Sequence, residues 1–176
     1  WPLDMYIMMD QSGSMSSTIN LAGTITKWKA VTDGLSSFFT KQPVNADLGV
    51  GIQFFPLPVK PWSSFAACTQ GGNECAASSL CIGTDIGYVC LDKCQDETTC
   101  GGGECIAVTD GSFCMNDTCD ANVYATPEVA VGKLADTKAG VLAAMAAHGP
   151  LTMTPTVPAL AGAIQYAKSY APQHAD

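Results

Sequence analysis

The stretch Met5-Tyr6-Ile7-Met8-Met9-Asp10-Gln11-Ser12-Gly13-Ser14 decides how this chain is read. The unbroken apolar run from Met5 to Met9, bounded by Asp4 and Asp10, is the pattern of a strand buried on both faces. Ser12, Gly13 and Ser14 then make a tight polar turn at the strand's carboxyl end, where open α/β sheets place their ligands. Two hydroxyls at i and i+2, with Gly13 between them to permit the turn, can face one hard cation while Asp10 supplies charge. Oxygen donors of this kind favour Mg2+, Ca2+ or Mn2+ over zinc. Ser and Asp are also ordinary turn and cap residues, so the stretch alone is equally a loop with a capping serine.

Outward from this run, Trp28, Val31, Leu35, Phe38 and Phe39 recur at helical spacing and predict an amphipathic helix over residues 19 to 40. Pro43 and Asn45 mark a break, and Leu48 to Phe55 reads as a second strand whose Gly49 and Gly51 signal close approach of a neighbour. Strand, helix and strand in this order suggest a parallel crossover unit. Further on, Val129 to Leu134 is a short strand that Pro127 places at an edge or a strand start. Asp136 is a candidate N-cap for an Ala-rich helix ending near His148, with Gly149 and Pro150 as stop signals. A last helix is expected after Thr156, with Pro158 in its first turn and Leu160, Ile164 and Ala167 on one face.

All nine cysteines lie between Cys68 and Cys119, in a Gly-rich, loop-rich segment. Their gaps repeat: Cys75-x5-Cys81-x8-Cys90-x3-Cys94 is followed by Cys100-x4-Cys105-x8-Cys114-x4-Cys119, two four-cysteine units in tandem. Cys81-IGTDIGYV-Cys90 and Cys105-IAVTDGSF-Cys114 share a leading Ile and a late turn signal at Asp85 or Asp110. Cys68 precedes Cys94 by nearly one period, so the units can instead begin there and leave Cys119 over. Disulfides, and therefore an oxidising compartment, are the expected framework; the pairing is not legible and the odd count leaves one thiol over. Zinc is disfavoured because the segment lacks paired C-x2-C knuckles and histidine. The chain begins at Trp1 without a signal-peptide pattern, as a mature or trimmed end would.

Composition excludes some functions. The 176 residues include eight Lys, no Arg and 16 acidic residues, a formal charge of -8, so there is no electrostatic footprint for nucleic acid. The weakly polar stretch from Val141 to Leu151 is broken by His148, Gly149 and Pro150 and is too short to span a bilayer. No Ser-His-Asp or Cys-His arrangement stands out, and an aspartyl-phosphate site would need a second carboxylate where Ser12 stands, so no enzyme is expected. His148 reads as a helix-end dipole partner and His174 as a solvent-exposed side chain. Met5, Met8 and Met9 belong to a strand, and Asn116-Asp117-Thr118 is a glycosylation sequon, meaningful only in a eukaryotic secretory host.

Asp10-Gln11-Ser12-Gly13-Ser14 (D-x-S-x-S) and Thr154-Pro155-Thr156 (T-x-T) before a helix, taken in order, resemble the von Willebrand factor type A domain and its metal-ion-dependent adhesion site. The resemblance covers residues 1 to 56 and about 124 to 176, including the strand Leu48-Gly-Val-Gly-Ile-Gln-Phe-Phe55. It implies an α/β fold with a Rossmann-like, doubly wound, mostly parallel sheet. Residues 1–56 would be its first part, 57–120 the Cys-rich insert, and 121–176 its continuation, truncated before the fourth core strand. Ser12 and Ser14 would be direct ligands of Mg2+ (or Ca2+ or Mn2+), Asp10 would hold the ion directly or through water, and Thr154 would be the conditional ligand. The family's third element, an Asp often in T-D-G after the fourth strand, has no counterpart. Thr32 to Gly34 lies in the first helix and Thr109 to Gly111 in the insert.

The resemblance also implies that the ion is not catalytic and that a partner protein's carboxylate completes its coordination. The resulting expectation is a cation-dependent adhesion module, secreted or on a cell surface, of a kind similar to some bacterial surface proteins. The alternative is a structural subunit of an extracellular assembly with a vestigial metal site, held by disulfides. With only these elements the first strand would be an open edge, so a C-terminal continuation or a partner chain is expected to complete the sheet. If the second strand is parallel to the first, the insert leaves from the same end as Asp10 and stands over or beside the metal face.

Overall fold

The computed structural model describes residues 3–43, 47–84, 87–151 and 153–174. Trp1, Asn45, Asp85 and Asp176, read above as a chain start, a break, a turn signal and a chain end, lie outside them. The apolar run forms β1 (Leu3–Asp10), which pairs in parallel with β2 (Leu48–Phe55) in register from Leu3 opposite Leu48 to Asp10 opposite Phe55. With β3 and β4 (Ser79–Thr84, Gly87–Asp92) and β5 and β6 (Gly103–Val108, Gly111–Thr118) between them in the chain, β7 (Val129–Lys133) pairs antiparallel with the other side of β2. The sheet order is β1-β2-β7.

This corrects the expectation of a doubly wound, mostly parallel, Rossmann-like sheet. Among the described residues one strand pair of the main sheet is parallel and one antiparallel, and the remaining strands form two separate antiparallel hairpins. A doubly wound sheet needs right-handed crossovers that return each strand in the same direction. Here only the connection from β1 to β2 returns the chain in the same direction; the long excursion after β2 brings it back reversed. Strand β2 is the centre and is buried along its whole length, whereas β1 is an edge with only Met9 fully buried.

Helix α1 (Lys27–Lys41) starts later than the periodicity predicts, because Thr26 caps it by accepting the Lys29 N–H. Trp28, Leu35 and Phe39 face the sheet, while Val31 and Phe38 are exposed. Helix α3 (Leu134–Ala147) has Lys133 at its N-cap, so Asp136 sits in the first turn rather than capping it. Helices α1 and α3 cover Met9, Val50, Ile52 and Phe54, the main core. The opposite side of the sheet carries α2 (Ala121–Tyr124) and α4 (Thr156–Tyr170), with Tyr124 and Ala159 packed around Phe55. In α4 the packed face is that of the small residues Ala159 and Gly162, because a Cβ on Gly162 would lie 2.6 Å from the Ala121 carbonyl oxygen. Leu160, Ile164 and Ala167, read as sharing one face, are all exposed and make up the outward face of the helix.

The cysteines form four disulfides, Cys68–Cys81, Cys75–Cys90, Cys94–Cys105 and Cys100–Cys114, and Cys119 is free. Each unit therefore joins its first cysteine to its third and its second to its fourth. The repeat begins at Cys68 and Cys94, the second of the two framings the spacing permits. Val89, Leu91, Phe113 and Met115 join the two hairpins in a small core separate from that of the sheet. The chain leaves the sheet and returns to it side by side: Thr118 donates to the Leu57 carbonyl at 2.9 Å and Val59 to that of Asn116 at 2.6 Å. Asn116 is buried and fastens this neck by bonding both backbone groups of Lys60, so the sequon is closed to a glycan in the folded chain.

Tyr124 clamps the same neck. Its hydroxyl donates to the Thr118 carbonyl at 2.9 Å and accepts the Leu57 N–H at 3.2 Å. Burial is the main reason its phenol is pushed up to about 12, so it stays a neutral donor at physiological pH. Tyr124→Phe leaves both backbone groups without this partner and is expected to cost about 2 kcal/mol. A shifted denaturant midpoint with an unchanged slope would register it; an unshifted midpoint would mean that water replaces the hydroxyl.

Candidate functional site

At the end of β1 the backbone turns through a short 3-10 segment, Gly13–Ser16, and the D-x-S-x-S side chains converge. Asp10 Oδ1 accepts the Ser12 N–H at 2.7 Å, which fixes the carboxylate against the turn. Ser12 Oγ and Ser14 Oγ are 3.2 Å apart. Ser12 is 1% exposed, and Ser14 is on the surface, so the pair forms a donor set with one side in the protein and one in solvent. Adjacent oxygens of an octahedral site are about 3.0 Å apart for Mg2+ and about 3.4 Å for Ca2+, from their usual bond lengths. The serine pair falls within that interval, and three hard oxygen-bearing side chains on one turn fit such an ion chemically.

Thr154 lies in the exposed loop before α4 and makes no side-chain hydrogen bond to Asp10, Ser12 or Ser14 among the described residues. Its loop is nevertheless tied to the same turn, because the Leu151 N–H donates to the Gln11 carbonyl at 2.5 Å. The T-D-G at Thr32 to Gly34 is within α1, and the one at Thr109 to Gly111 spans the hairpin turn between β5 and β6. Neither ends a strand of the main sheet.

The residue between the first two motif positions does more than the motif indicates. Gln11 is fully buried; its Nε2 donates to the Pro56 carbonyl at 2.7 Å and its Oε1 lies 2.8 Å from His148 Nδ1. Since a carbonyl only accepts, the amide must present its NH2 to Pro56 and its oxygen to the imidazole, which therefore donates from Nδ1. His148 Nε2 is 2.6 Å from Glu128 Oε2, and its ring stacks on Phe54 at 3.9 Å. His148 stands at the C-cap of α3, as expected, and in addition links the motif turn to the start of β7. His174 is exposed and stacks on Tyr170 at 3.8 Å.

The neck of the insert stands at this end of the sheet. Asp117, 3% exposed, directs Oδ2 to the Met153 N–H at 2.9 Å, one residue before Thr154. Gln11, Asp117, Glu128 and His148 were not legible as site residues, since nothing in their local sequence reveals partners more than fifteen residues away in the chain.

Two sulfur triads, Cys68, Cys75 and Cys81 and Cys94, Cys100 and Cys114, have their sulfurs within 4.8 Å of one another. Each is a disulfide with the sulfur of its neighbouring disulfide beside it, so the oxidised chain offers no thiolate there. The free Cys119 thiol is pushed up by burial and then by Glu104, Glu97 and Asp117, which makes it a poor nucleophile. Four disulfides suit an oxidising environment, and no helix among the described residues is long and apolar enough to cross a membrane. No family model matches this chain, and no curated protein or solved structure matches it significantly.

Proposed function

We propose that this chain is a divalent-cation-dependent protein-binding module, secreted or displayed on a cell surface, of the adhesion type that its two motifs resemble. The observation that carries this reading is the convergence of Ser12 and Ser14 hydroxyls at 3.2 Å beside Asp10. Asp10, Ser12 and Ser14 would hold Mg2+, Ca2+ or Mn2+, with Thr154 as the further hydroxyl ligand from the opposite loop. The bound ion would supply a Lewis-acidic position for an incoming carboxylate. The protein's own part is to keep the serine pair rigid on the buried end of β1 and to leave Ser14 accessible from solvent.

The test is titration of the purified chain with Mn2+ or Mg2+ alone, followed calorimetrically. Ser12→Ala is expected to weaken binding by about tenfold or more, since it removes a proposed ligand. Equal affinity in the variant and the parent would sink the reading.

A second reading has its own observation. Among the described residues strand β1 has one neighbour, and the outward face of α4 exposes Val157 by 80%, Leu160 by 58% and Ile164 by 47%. An apolar helix stripe beside an unpaired strand edge suits a structural subunit whose sheet is completed by a C-terminal continuation or a partner chain. Assembly through that edge would survive chelator and Ser12→Ala, whereas cation-dependent adhesion would survive neither.

A further inference from the structure

We propose that Asp117 is a positioning residue through which the disulfide-linked insert holds the Thr154 loop, so that the insert governs the cation site. The role as regulator of that site rests on the cation reading; the holding of the loop does not. Asp117 lies near the end of the insert, in β6: it forms a bridge with Pro58 across the neck, between Asn116, which bonds Lys60, and Thr118, which bonds Leu57. Its backbone position is thus fixed by the insert, while its carboxylate reaches out of the insert to the Met153 N–H at 2.9 Å.

The loop is held from two sides. Leu151 is bonded to Gln11 at the end of β1, and Met153 to Asp117 near the end of the insert. Thr154 follows directly, so a shift of the neck is transmitted to it through the bond from the Met153 N–H to the Asp117 carboxylate. A carboxylate is costly to bury and is retained where charge-assisted hydrogen bonds compensate it. At 3% exposure, Asp117 takes part of that compensation from a backbone amide of the loop that carries the proposed ligand. A partner that binds the insert and moves its neck would therefore alter cation affinity, and the cation would by reciprocity alter affinity for that partner.

The experiment compares the full chain with Asp117→Ala and Asp117→Asn. It reads amide hydrogen exchange at Met153, with Ile52 and Phe54 of β2 as internal references, and Mn2+ affinity. Asp117→Ala is expected to accelerate exchange at Met153 by roughly tenfold or more while the β2 amides keep their rates. Mn2+ affinity should fall by a similar factor. Asp117→Asn, which keeps an acceptor oxygen, should restore most of both and serves as the comparison if the alanine variant does not fold. Unchanged exchange at Met153, equal acceleration at Met153 and in β2, or no recovery with asparagine would overturn the proposal. Loss of Met153 protection in Asp117→Ala, when the parent chain itself binds no Mn2+, would keep the positioning role and remove the cation reading.

Discussion

Replacing Cys100 and Cys114 together by serine should lower the stability of the insert by about 3 kcal/mol, the loop-entropy value for a crosslink of this span. The two residues are 14 apart in sequence. The size of the effect follows from how little else holds the second hairpin. Its contribution to the insert core is Phe113 and Met115, with Ile106 half-buried beside them, and it meets the first hairpin through that small core, a bridge from Lys93 to Phe113 and the Cys94 N–H to the Ser112 carbonyl. A two-stranded hairpin is marginal in water without such support. Because the insert core and the sheet core share no buried residue, the loss should stay local. Amide exchange should accelerate from Gly103 to Thr118 and remain slow in β2. Equal loss of protection in β2 would instead mean that the two cores fold as one cooperative unit.

The same division explains what could be read from the sequence. Strands β1, β2 and β7 and helices α1, α3 and α4 carry their own periodicity or buried run, and local signals such as Pro158 and Gly149 sit where their elements begin and end. The tandem cysteine spacing revealed two disulfide units, because each unit is a hairpin with one register: Cys81 opposite Cys90, Cys105 opposite Cys114. The spacing did not fix the pairing, since those opposed cysteines bond upstream partners rather than each other. The sheet's direction was misjudged for a related reason. An isolated strand such as Val129–Lys133 carries no mark of whether it runs with or against its neighbour; that is set by the path of the chain through the insert and α2. At the motif turn, the convergence of Ser12 and Ser14 was legible because they are two residues apart, whereas the links from Gln11 to His148 and from Asp117 to Met153 cross the whole fold.

Gly51→Ala should destabilise the sheet by about 3 kcal/mol, the upper range for overpacking a well-filled core. The cause lies in the β2–β7 pair, whose register shifts between Val50 and Ile52, so that Gly51 is the residue over which β7 passes most closely. A Cβ there would lie 2.6 Å from the Val131 nitrogen and 2.8 Å from the Val129 carbonyl oxygen. Both are backbone atoms and cannot rotate away. The Val131 N–H donates to the Tyr166 hydroxyl of α4 at 2.9 Å, so displacing β7 also breaks its tie to the helix. The reduced entropy of the unfolded alanine chain offsets only about 0.4–1 kcal/mol. Gly49→Ala is the control: its Cβ would meet Asp4 Oδ1 at 2.0 Å, but that atom ends a side chain at the sheet edge that can turn aside by giving up its bond to Tyr170. It should cost about 1 kcal/mol, near the value of one exchanged hydrogen bond. Thermal or denaturant unfolding of the two variants would separate the cases, and a Gly51→Ala midpoint equal to that of Gly49→Ala would show that β7 shifts freely over β2. In that event β7 would be a loosely held edge, and the tie from Glu128 through His148 to Gln11 would no longer have a fixed strand at its far end.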